Sequence, residues 1–161
     1  MKKLSIILLM LCLSITALAQ NGRQLDQKYS DRPGMQAVYI SPAMFRMMGK
    51  IPDVEFQSDK VNFSSLVKSM TGFYILESGD KATGAELKAE VNKYIKSGHY
   101  ELLMESKDNG EVVRMYTAGT EETVTSFIML ADEGEDVSFI SFDGKMNRQE
   151  FENLIAEAVA E

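Results

Sequence analysis

The feature that most constrains this chain is a pair of consecutive β-hairpins in its second half. Residues 100–107 and 111–117 read as strands on either side of Asp108-Asn109-Gly110. An Asn-Gly pair takes the two positive-φ positions of a type I′ turn, whose twist matches that of the flanking strands. The register this sets puts Met104 opposite Met115, Leu103 opposite Tyr116 and Glu105 opposite Arg114, so apolar and ionic side chains each meet a suitable partner. A one-residue slip breaks all three pairs. The second hairpin joins residues 123–131 to residues 137–142 through the acidic turn Asp132-Glu133-Gly134-Glu135-Asp136. Its first strand carries Phe127, Ile128, Met129 and Leu130 in succession, so it is apolar on both faces. Such a strand is expected to be central and covered on both sides, or to lie at an interface.

Helical signals stand before and after these strands. Gln36-Ala37-Val38-Tyr39-Ile40 is a short β-prone stretch, and Ser41-Pro42 supplies a capping residue and a helix-first proline for a short helix running to about Met48. Phe63, Leu66, Val67 and Met70 recur at three- and four-residue spacing, which predicts a helix, and Gly72 releases the chain into the strand Phe73-Tyr74-Ile75-Leu76. Thr83 and Glu86 have capping-box spacing and open a helix that ends near Ser97-Gly98, with Leu87, Val91, Tyr94 and Ile95 on one stripe. Asp143-Gly144 reads as a turn, and Asn147 with Glu150 starts a closing helix with Phe151, Leu154, Ile155 and Val159 on its inner face. The order βααβαββββα predicts an α+β domain: two layers, with a mainly antiparallel four-stranded meander and helices before and after it.

The first nineteen residues belong to a different category. Lys2 and Lys3 precede an apolar run from Leu4 to Leu13, and Ala17-Leu18-Ala19 closes it with small residues two apart. This is signal-peptide grammar, so residues 1–19 are expected to be removed after Ala19 and the mature chain to begin at Gln20, exported to the periplasm without a transmembrane span. The one cysteine, Cys12, lies inside the apolar run. Bulky Met10 and Leu11 precede it, which disfavours a lipid anchor there, and the mature chain has no thiol for a disulfide, a redox centre or a zinc ribbon. Residues 20–34 are polar and read as a flexible N-terminal segment, leaving residues 35–161 as a single domain. The whole chain carries 17 Lys+Arg against 24 Asp+Glu, a net charge of −7, and losing two lysines with the signal segment makes it about −9. That balance argues against a nucleic-acid surface.

The strand and hairpin motifs carry a family likeness. Tyr39-Ile40-Ser41-Pro42-Ala43-Met44, Leu103-Met104-Glu105, Asp108-Asn109-Gly110, Arg114-Met115-Tyr116 and Gly144-Lys145 follow one another in an order and spacing that resembles the bacterial family of small exported proteins called domain of unknown function 4252. The likeness spans about residues 36 to 155. It implies export and a single α+β domain, and it brings no catalytic residues or ligand with it.

Chemistry-bearing constellations are sparse. His99 is the only imidazole and follows the helix-ending Gly98, and no Gly-x-Ser-x-Gly elbow accompanies it, so no catalytic residue is assigned. The acidic turn lacks the spacing of a calcium loop and reads as a solvated turn. Methionine is abundant, with eleven in the chain. Met44, Met47 and Met48 crowd one short helix beside Phe45. Thioethers suit Cu(I), but unbranched side chains that fill gaps or form an adaptable contact surface account for the wider set as well, so no metal site is assigned. Phosphate loops, Walker sequences and zinc-helix motifs are missing from the sequence, so no cofactor is expected.

Two functional expectations follow. The favoured one is a non-enzymatic binding or interaction module for a protein or peptide partner in the cell envelope, using Met44, Phe45, Met47 and Met48 as its surface. The alternative is a small hydrolase or small-ligand-binding domain with a pocket lined by carboxylates and tyrosines.

Overall fold

A computed structural model describes residues 22–48 and 67–160, with side chains to residue 156. Its elements are α1 (Gly22–Tyr29), β1 (Met35–Ile40), α2 (Pro42–Met48), β2 (Met70–Ser78), α3 (Lys81–Ser97), β3 (Glu101–Asp108), β4 (Glu111–Gly119), β5 (Thr123–Asp132), β6 (Val137–Asn147) and α4 (Arg148–Ala160). All the strands form one antiparallel sheet in the order β1-β2-β6-β5-β4-β3. The protein is therefore α+β, and the anticipated four-stranded meander is its β3 to β6 portion. Two further strands, β1 and β2, extend the sheet beyond β6.

The first hairpin forms where Asn-Gly chemistry requires it. Asn109 and Gly110 have φ of 47° and 95°, and Glu105 faces Arg114 with an Nε to Oε2 distance of 2.6 Å. Met104 also faces Met115, but Tyr116 is paired with Leu102 rather than Leu103, because a bulge between Leu102 and Met104 absorbs one residue. In the second hairpin β6 continues to Asn147, so Asp143-Gly144 lies within a strand and is not a turn. A Cβ on Gly144 would come within 2.5 Å of the Ser69 carbonyl oxygen, and this close approach of the two backbones is what glycine permits.

Helix α3 starts earlier than the Thr83–Glu86 spacing predicts. Asp80 is its N-cap, accepting from the backbone and hydroxyl of Thr83 at 2.8 and 2.7 Å. Both are N-cap residue types, and Asp80 offers the stronger charge-assisted bond. Asn147 caps α4 as expected, accepting from the Glu150 amide at 3.1 Å. Residues 67–69 are helical, whereas Phe63 and Leu66 of the anticipated helix lie outside the described residues, and Met70 already begins β2. The segment read as flexible contains a helix. Leu25 and Tyr29, four apart on α1, are both buried against the sheet, so a short polar sequence with one apolar stripe is held by tertiary packing.

The sheet is covered on both faces, so two layers become three along part of its width. On one face α1 and α3 bury Leu25, Tyr29, Leu87, Val91 and Tyr94 against Tyr74, Leu76, Ile128, Leu130 and Phe139. On the other, Phe151 of α4 meets the stacked rings of Phe127 and Phe142, with centroid distances of 5.5 and 5.8 Å. The doubly apolar strand is thus covered by helices of its own chain. Among the described residues no helix is long and apolar enough to cross a membrane.

Candidate functional site

Two places concentrate side chains that secondary structure alone does not explain. The first surrounds Asp143, on the face beneath α1. A chain of hydroxyls leads to it: Tyr94 and Tyr100 hydroxyls are 2.9 Å apart, and Tyr100 donates to Ser126 Oγ at 2.8 Å. Because Tyr100 donates onward, its oxygen accepts from Tyr94. The Asp143 carboxylate accepts in turn from the Ser126 hydroxyl and from the Gly22 amide at the start of α1. Burial pushes the Asp143 carboxyl above its ordinary value, opposed by those two hydrogen bonds. Burial likewise raises Tyr94 and Tyr100, and raises Tyr74 to about 12.

This cluster is sealed. A Cβ on Gly22 would come within 2.6 Å of the Tyr74 ring and 3.0 Å of Ser141 Oγ, so helix and sheet meet there without a gap for a side chain. Ser141 Oγ and Asp143 Oδ2 are buried without a hydrogen-bond partner among the described residues. An open depression of about 640 Å³, lined by Arg32, Pro33, Gly34, Asp80 and Thr83, lies elsewhere on the surface. Its polar groups are already engaged, since Arg32 pairs with Glu86 at 2.6 Å and Asp80 caps α3.

The second place is the β1 edge and helix α2. Among the described residues the exposed large hydrophobic ones are Val38, Tyr39, Met44 and Met47, all within ten residues of one another, together with Leu102 on the opposite edge strand. Met44 and Met47 are 48% and 62% exposed and stand on the outer side of α2, whereas Phe45 is 4% exposed and anchors the helix inward; Met48 is half-buried. Met44 and Met47 are thus exposed on the helix that follows the strand holding Val38 and Tyr39, and Phe45 holds α2 in place. Tyr39 stacks on Tyr74 at 5.2 Å, and Arg23 of α1 lies over the outer ring, 5.1 Å from its centroid, while donating to its hydroxyl at 2.7 Å. The first turn of α1 thus links the two places, through Gly22 to Asp143 and through Arg23 to Tyr39.

The other residues weighed from sequence are differently engaged. His99 is exposed, takes a left-handed φ of 57° after the α3 C-cap and has Nδ1 3.3 Å from the Ser97 carbonyl. In the acidic turn Asp132 pairs with Lys88, whose hydrogen bond holds its carboxyl below the usual range. Among the described residues no group of three or more acidic, His or Cys side chains is arranged to hold a metal ion. Sequence reading missed Asp143, which it assigned to a turn, and Val38 and Tyr39, whose exposure depends on β1 being an edge. The sequence signal that points there is Ser141, two residues from Asp143 on the same face of a strand otherwise rich in Phe and Ile.

No curated protein and no solved structure matches this chain. A family model described as "Domain of unknown function (DUF4252)" matches residues 29–154, from the last residue of α1 into α4. The chain belongs to that family.

Proposed function

We propose that this protein is an exported periplasmic envelope protein, mature from Gln20, that acts without catalysis as a binding module for a protein or peptide partner. The observation that carries this reading is that Val38, Tyr39, Met44 and Met47, all large, apolar and exposed, fall on the edge strand β1 and the helix that directly follows it. Scattered exposed hydrophobics are ordinary, whereas four such residues within ten positions of the chain favour an interaction surface. Methionines suit such a surface because their flexible thioethers adapt to different partners. No cofactor, metal or nucleic acid enters this reading.

The test is affinity capture from the native envelope with the wild-type protein and a Met44→Asp/Met47→Asp double variant of equal thermal stability. A partner retained by the first and lost by the second is expected. An identical captured set from both overturns the assignment of the surface. Mass spectrometry of the purified mature chain checks export: a first residue of Gln20 is expected, and an uncleaved Met1 or an acylated Cys12 overturns that part.

The second reading, a small hydrolase or ligand-binding domain, draws on the convergence of Tyr74, Tyr94, Tyr100 and Asp143 with their raised pKa values. It requires α1 to leave its seat, since Gly22 closes the cluster. Protection of the Gly22–Tyr29 amides from hydrogen exchange as strong as that of β5 would remove it.

A further inference from the structure

The two edges of the sheet differ in a way that names a partner. β3 is defended against strand pairing: its eight residues include Glu101, Glu105, Lys107 and Asp108, and the bulge between Leu102 and Met104 breaks its regularity. β1 has none of these devices. Met35-Gln36-Ala37-Val38-Tyr39-Ile40 holds no charge, no proline and no bulge, and it pairs with β2 in uninterrupted register. Among the described residues no strand covers its outer side.

The segment that holds that edge also differs in charge from the rest of the molecule, and it is near neutral once its ion pairs to α3 are counted. Residues 22–48 carry Arg23, Lys28, Arg32 and Arg46 against Asp26 and Asp31, a net charge of +2, whereas residues 67–160 carry nine Lys+Arg against eighteen Asp+Glu, a net charge of −9. Lys28 and Arg32 are paired with Glu90 and Glu86 of α3. Arg23 and Arg46 have no carboxylate within salt-bridge distance among the described residues, and Arg23 lies on the same side of the sheet as Tyr39.

We propose that the free edge of β1 accepts an extended peptide segment of alternating acidic and apolar residues, which adds to the sheet as a seventh strand. This rests on the reading of the protein as a binding module and specifies its partner. Main-chain hydrogen bonds to β1 supply the general affinity of strand addition, and alternate side chains supply the choice of sequence. Side chains of the added strand on the face shared by Ala37 and Tyr39 meet Arg23, which selects Asp or Glu there. Those on the opposite face lie beside Val38, which selects apolar residues. A second copy of the chain is the poorer occupant, because β1 itself carries no acidic residue to meet Arg23.

The experiment uses the purified chain and fluorescein-labelled nine-residue peptides of alternating Val and Glu or alternating Val and Lys, read by anisotropy at low and high salt, with hydrogen exchange of the β1 amides as a second readout. The Val-Glu peptide is expected to bind at least about tenfold more tightly than the Val-Lys peptide, to lose that preference in salt, and to raise protection over residues 35–40. Arg23→Glu is expected to reverse the preference, and Val38→Lys to weaken both peptides while leaving the melting curve in place. Binding without charge preference, or without new protection of β1, overturns the acidic-strand proposal but leaves a binding module standing. Protection of β1 already complete in the free protein, or a dimer by sedimentation with β1 protected, also overturns it by showing the edge occupied. Failure of the module reading itself would appear separately, as no partner captured from the envelope by the wild-type protein.

Discussion

The two faces of the sheet are built on different terms. Beneath α1 and α3, Leu76, Leu87, Val91, Ile128 and Phe139 are without solvent exposure, and a hydroxyl chain ends on a buried carboxylate. Beneath α4, Val124, Phe127, Met146 and Phe151 are buried, but Phe73, Leu103, Met115 and Met129 are only half-buried around them. The closed face uses branched and aromatic side chains of defined shape, while the other grades outward through methionines. Close packing makes the first face intolerant of lost volume, and partial exposure makes the second more forgiving.

The largest expected effect tests that contrast directly. Phe139→Ala on the closed face should cost about 3–5 kcal/mol, whereas Met129→Ala on the open one should cost below about 2 kcal/mol, both read from urea midpoints. Equal losses would mean that the open face is covered as completely as the closed one. Next, Tyr94→Phe removes the first donor of the hydroxyl chain and is expected to cost about 1 kcal/mol by the same measurement, because it leaves Tyr100 without its incoming bond.

The buried carboxylate makes the closed face sensitive to pH in a definite direction. The Asp143 carboxyl is raised from 3.8 when folded, so its contribution to stability is fully present below 3.8 and is lost as pH rises through its folded value. Asp132 runs the other way: its pKa is lowered by Lys88, so its contribution is present above 3.8 and lost as pH falls through its folded value. Asp143→Asn should therefore flatten the decline of the urea midpoint from acidic to neutral pH, and Lys88→Met should flatten the decline at the acidic end. A wild-type slope that persists in Asp143→Asn would show that another group carries it; Asp26 of α1, whose carboxyl burial also raises, is the nearby carboxylate in that range. The smallest expected effect lies outside both faces. Met47→Ser should change stability by no more than about 0.5 kcal/mol, since its side chain is mostly in solvent, so any loss of partner capture in it is a loss of contact.

Much of the meander was legible because its instructions are local. Asn109-Gly110 dictates the turn, Asn147 dictates the start of α4, and the apolar run at Phe127 correctly implied cover on both sides. The family likeness was legible for the same reason, since it rests on hairpin motifs in order. What misled were choices between neighbours of equal propensity. Asp80 and Thr83 are both capping types, Leu102 and Leu103 both suit a position opposite Tyr116, and Asp143-Gly144 has turn composition inside a strand. The first was decided by a local charge-assisted bond, the other two by backbone geometry beyond the local window: a bulge, and the approach of Ser69 to Gly144.

The sequence by itself determined the hairpins, the helix stripes and the acidic balance, because turn chemistry and hydrophobic period act over a few residues. Only the tertiary structure decided that β1 is an edge strand among the described residues, that α1 folds onto the sheet, and that Asp143, Ser126, Tyr100 and Tyr94 form one chain of hydrogen bonds. Those residues come from α3, β5, β6 and the connection between α3 and β3. No spacing within the chain encodes which strand ends up beside which, since strand order is settled by how the helices cover the two faces at once.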